Sequence, residues 1–112
     1  MKQNASMNSH EIRISVRTQY LPEQSDPDNR QFAFAYTVTI RNDGTANASL
    51  DAILDTLPST PAVATYDATV TPLYNGVPIA GPLIAGQQLR FDGVFTVPPG
   101  GTSTLTYGVT VP

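Results

Sequence analysis

The chain has 112 residues, 40% of them hydrophobic and only 13% charged, which is room for one hydrophobic core and too little charge for a disordered segment. A net charge of −3 and a pI near 4.7 leave no cationic field for nucleic acid or anionic lipid, and the absence of cysteine removes disulfide frameworks and thiolate metal sites. No apolar run approaches the ~18 residues of a membrane span, and the opening MKQNASMNSH lacks the apolar centre of a signal peptide. The compartment is therefore unknown, and cytoplasmic if the chain is expressed as written.

Residues 1–10 are expected to be a flexible tail and residues 11–112 one β domain. Ile12, Ile14 and Val16 alternate with Arg13, Ser15 and Arg17, the period of a strand with one buried face. The run LPEQSDPDNR is rich in turn formers and reads as a loop. From Gln31 to Arg41 the alternation is strongest. Phe32, Phe34, Tyr36, Val38 and Ile40 share one face, opposite Ala33, Ala35, Thr37 and Thr39, which predicts a central strand. Asn42-Asp43-Gly44 is a turn, after which Ala48, Leu50, Ala52 and Leu54 predict a third strand that ends before Pro58.

Tyr66, Ala68 and Val70 suggest a fourth strand. Asn75-Gly76 has the chemistry of a type I′ hairpin leading into a fifth at Val77-Pro78-Ile79, with Pro72 and Pro78 placing both at a sheet edge. Leu89 and Phe91 open a sixth strand, expected to reach Val97 through a bulge at Gly93. Leu105, Tyr107, Val109 and Val111 form the seventh, after the loop Pro98-Pro99-Gly100-Gly101. Seven short strands without helical periodicity predict an all-β, immunoglobulin- or fibronectin-like two-sheet sandwich, although no Cys-Trp-Cys core is available. Phe34, Tyr36, Leu105 and Tyr107 are the expected core, with about 3–5 kcal/mol at stake on truncating Phe34 to Ala.

Chemistry-bearing residues are few. Nucleophilic catalysis needs a base beside the nucleophile, and the one histidine, His10, lies in the tail. Asp51 and Asp55, taken to share a strand face, would stand about 13 Å apart, too far for a glycosidase pair, and read as solvated aspartates. Asp26, Asp28 and Asn29 could offer oxygens to a hard cation, but their spacing matches no calcium loop and Asx turns explain them. The glycines at Gly76/Gly81 and Gly100/Gly101 open no helix, so they cradle no phosphate. Asn4-Ala5-Ser6 and Asn47-Ala48-Ser49 match the glycosylation sequon, which matters only in a secretory setting. No catalytic, cofactor-binding or metal-binding residue is assigned, no cofactor is expected, and the chain reads as a non-enzyme.

Two resemblances add to this. The run IRISVRTQYLPEQSDPDNRQFAFAYTVTIRN, from Ile12 to Asn42, resembles the start of the ApaG family, with its QS-x-PDN loop and F-A-Y-T-V-T-I-R-N strand. That resemblance implies a small fibronectin-like β-sandwich used as a protein-interaction module. The family's glycine-rich G-x-G-x-V-G motif, linked to pyrophosphate, has no counterpart here, so no nucleotide site is carried over. From about Asp43 onward, NDGTANA, DTLPS, LYNGVPIA and PPGGTSTLTYGVTVP resemble the β-sandwich repeat of bacterial surface and cell-wall proteins, which serves as a stalk or spacer. A lysine-to-asparagine isopeptide, as in some related surface domains, is not expected, because Lys2 is the sole lysine.

The two resemblances meet in YTVTIRNDGTANA, where a joint near residues 36–46 would keep strand register continuous. The leading expectation is a structural sandwich without activity, a chimera of two families engineered to test folding. The alternatives are an ApaG-type interaction module and a surface-protein stalk repeat. A homodimer through an edge strand or an exposed seam is expected; nucleic acid, membrane and small-molecule substrates are not.

Overall fold

The computed structural model describes residues 11–60 and 62–112. The expected tail, with Lys2, His10 and the first sequon, lies outside the described residues. Nine strands are present among the described residues: β1 (Ile12–Tyr20), β2 (Phe32–Asn42), β3 (Ala48–Thr56), β4 (Thr65–Tyr66), β5 (Leu73–Tyr74), β6 (Val77–Pro78), β7 (Leu83–Ala85), β8 (Gln88–Val97) and β9 (Thr102–Val111). Two 3-10 turns, Pro22–Gln24 and Pro27–Asn29, fill the long loop between β1 and β2, each opened by a proline whose fixed φ suits a first helical position.

All strand pairs are antiparallel. The larger sheet runs β1-β2-β9-β5-β6, with β4 also paired to β9; the smaller runs β3-β8-β7. The sheets pack face to face, so the chain is an all-β sandwich. Its centre is β9, whose Leu105, Tyr107 and Val109 are all buried, facing Leu89, Phe91, Phe95 and Val97 of β8. The rings interlock: Phe91 and Tyr107 lie 5.2 Å apart between centroids, Tyr36 stands 5.8 Å from Tyr107, and Tyr74 stands 4.7 Å from Phe95. Such tilted pairs add to area burial through the ring quadrupoles.

Several expectations are corrected. Among the described residues there are nine strands, because β5 and β7 are two and three residues long, too short for an alternating pattern to register. The Asn75-Gly76 hairpin is present, with positive φ at both residues, but it joins β5 to β6, and Asp67 to Val70 form a turn instead of extending a strand. β5 is interior between β9 and β6, so only Pro78 stands at an edge. Gly108 on β9 lets that turn approach closely: its carbonyl accepts the N–H of Asp67 at 2.9 Å, and a side chain there would meet Val70 at 2.8 Å.

Phe34 is only half-buried and sits outside the main core, its ring 5.4 Å from that of Tyr20; Tyr36 packs against the core without being enclosed. Ala33, expected on the less covered face, is buried, and its N–H donates to Ser25 Oγ at 2.8 Å. The apolar face of β1 is not buried either: Ile14 is 65% exposed and Val16 50%. A three-stranded sheet is too narrow to cover the wider one, and β1 is the strand left beyond its reach.

The bulge at Gly93 is present, and it reorganises β3. Ala48 and Leu50 pair with Val97 and Phe95, while Ile53 and Asp55 pair with Phe91 and Leu89, so the register slips between Leu50 and Ala52. Paired residues share a face. The inward set of β3 therefore changes from Ala48 and Leu50 to Ile53 and Asp55, and Leu54, expected to face the core, is 57% exposed.

Candidate functional site

Asp51 and Asp55 do not share a face. Asp51 is exposed opposite the bulge, whereas Asp55 points inward and accepts a short hydrogen bond from the hydroxyl of fully buried Tyr107. Burial first, then the bond to Asp55 and the charges of Asp55 and Tyr36, push the Tyr107 phenol far above its ordinary range. Tyr36 is raised too, by burial and then by Asp55. A phenol held this firmly in its protonated form is a donor to the carboxylate, and its ring is enclosed by the core. The cluster ties β9 to β3 across the sandwich, with the Tyr107 ring enclosed and Asp55 half-buried.

Several of the remaining sequence candidates are engaged locally. Asp26 accepts the side-chain amide of Asn29 at 2.7 Å and pairs through its backbone with Gln31, while Arg30 takes the left-handed conformation (φ 58) that closes the turn. No group of three or more His, Asp or Glu side chains that could hold a metal occurs among the described residues. Gly76 and Gly100 take positive φ in their turns, and Gly101 donates to the Pro98 carbonyl at 2.8 Å. Asn42, read only as a turn former, is completely buried: its amide donates to the carbonyls of Ala46 and Val97, and its Oδ1 accepts the N–H of Gly44, each at 2.8 Å. It fastens the start of β3 to the end of β8.

The chemically suggestive surface is the open side of the sandwich. β1 is the edge of one sheet and β3 the edge of the other, and between them runs a groove. Val38, Ile40 and Ile53 form its floor, Ile14 and Val16 one wall, and Leu54 the other, with Asp55 at its end. The backbone of β1 is half used. Glu11 accepts the N–H of Asp43 and Leu21 donates to Ala33, both at 2.8 Å, so the odd-numbered residues of β1 bond to β2. By alternation, the N–H and C=O groups of Ile12, Ile14, Val16 and Thr18 point outward, away from β2. On the outer face Asp43 binds both Arg13 and Arg41 at 2.6 Å, whereas Arg17 has no ion-pair partner among the described residues. An unpaired edge beside an apolar trough is suited to receiving an extended chain.

No family model matches the chain. It is 54% identical over 44 residues to protein ApaG of Ralstonia nicotianae, a match covering 39% of this chain and 36% of that protein. It is also 56% identical over 41 residues to ApaG of Pseudomonas putida and of Pseudomonas aeruginosa, covering 37% of this chain and 32% of each relative. The chain is thus similar to ApaG proteins over part of its length, and the match spans about a third of those relatives. A crystal structure from Bordetella pertussis, named as an ApaA protein, aligns over 90% of this chain and 68% of its own with a TM-score of 0.52 and 24% identity, a likeness of fold. The surface-repeat resemblance of residues 43–112 is not carried by these matches.

Proposed function

We propose that the chain is a non-catalytic β-sandwich binding module of ApaG type, which receives an extended segment along the open side between β1 and β3. The observation that carries this reading is the coincidence of outward-pointing backbone groups on β1 with the apolar groove beneath them. Main-chain hydrogen bonds supply affinity in strand addition, and alternate side chains supply selectivity. The partial ApaG similarity supports it, since that family's resemblance implied an interaction module. Titration of the isotopically labelled chain with an acetylated Thr-Val-Thr-Val-Thr peptide tests it by nuclear magnetic resonance. Amide shifts confined to residues 12–18 and 54 are expected, and none with a proline-interrupted control; shifts elsewhere, or none, would refute it.

A second reading, a purely structural hybrid, is favoured by the extent of the match, which ends after 41–44 residues and leaves about two-thirds of each relative without a counterpart. On this reading β1 and β2 come from an ApaG-like parent, the rest from a surface-protein stalk repeat, and the joint lies near residues 36–46. The origin of the coding sequence, one natural gene or two spliced segments, decides it.

A further inference from the structure

We infer that the segment seated on β1 is β1 of a second copy, paired antiparallel about a two-fold axis through Ile14. This rests on the open side being a strand-accepting surface and names its occupant. In that register Ile14 stands opposite Ile14 of the second copy, Ile12 opposite its Val16, Arg13 opposite its Ser15, and Glu11 opposite its Arg17.

Three observations select it. The outward backbone groups belong to Ile12, Ile14 and Val16, so a pairing centred on Ile14 matches donor to acceptor and closes about six hydrogen bonds. The same centring sets the exposed Ile14 and Val16 against apolar partners on the groove side, which an isologous contact requires of a self-complementary patch. On the outer face Arg17, unpaired among the described residues, meets a carboxylate at each end of the contact, while Arg13, already held by Asp43, meets a serine. Neighbouring registers fail on one count or another. Centring on Ser15 opposes Arg13 to Arg17, a like-charge pair that destabilises directly facing strands. Centring on Val16 sets Ile14 against Thr18 and leaves Glu11 without a cation.

The contact is smaller than the roughly 800 Å² per partner of a standard stable interface, so the dimer should depend on concentration. Sedimentation of the full chain at low salt across the micromolar to millimolar range should therefore show a mass rising from 12.0 kDa towards twice that value. Arg17→Glu, which faces carboxylate with carboxylate at both ends, should weaken association at least about tenfold, and adding Glu11→Arg should restore it to within about threefold. Ile14→Pro removes only an outward N–H and should leave a monomer with an unchanged circular dichroism spectrum. A wild-type chain that stays at 12.0 kDa throughout overturns the proposal, as does a dimer indifferent to Arg17→Glu or a double variant that fails to recover. If the chain stays monomeric while the Thr-Val peptide still shifts residues 12–18, the strand-accepting groove stands and the second copy falls; if neither binds, both fall.

Discussion

The middle of the sandwich and its open margin are built from the same kind of alternating sequence and end in opposite states. On the β8–β9 side every inward residue meets another: Phe91 and Tyr107 are wholly enclosed, and Leu89, Val97 and Leu105 with them. On the β1–β3 side Ile14, Val16 and Leu54 carry comparable apolar groups that remain half or more in water. Alternation states which residues share a face; the number of strands in the opposite sheet decides whether that face is covered. Six strands against three leave the β1 margin bare, and that margin carries unpaired backbone.

The largest effect is expected on the closed side. Phe91→Ala should cost about 3–5 kcal/mol in urea denaturation, the usual range for an enclosed aromatic. A loss under about 1 kcal/mol would mean that the closed side is no better packed than the open one.

Next in size is the link between the sides. Tyr107→Phe leaves Asp55 half-buried without its donor and should cost about 1–3 kcal/mol. Its pH dependence has a definite sign. The folded chain holds the Tyr107 proton well above the ordinary value of 10.0, because of burial and the bond to Asp55, so the stabilisation is complete below that pH. Above it the unfolded chain loses protons that the folded one retains, and stability falls. The urea midpoint should decline above about pH 10, and less steeply in the Tyr107→Phe variant. Equal slopes in the two proteins would show that Tyr107 is not the group responsible.

The smallest effect belongs to the open side. Leu54→Ala should change monomer stability by less than about 1 kcal/mol, since the side chain has little burial to lose. A cost near that of Phe91→Ala would mean that the groove is closed in solution.

Much of the fold was legible in local chemistry. Asn75-Gly76 announced its hairpin because few other dipeptides accept positive φ twice in succession. Gly93 announced the bulge, where a side chain would come within 2.9 Å of the Phe95 ring. The run from Phe32 to Ile40 marked a central strand, and it pairs with β1 on one side and β9 on the other. The candidate site was less legible. Strict alternation makes Asp55 solvated, and it fails because the bulge in β8 slips β3 by one residue, which exchanges its inward and outward faces. Local chemistry marks where the longer strands turn and kink, since that depends on φ, ψ and the side chains of a few adjacent residues. Only the tertiary structure decided that β1 lies bare and Asp55 lies beneath Tyr107, because burial depends on what stands opposite, and the facing residues are brought there by strands distant in the chain.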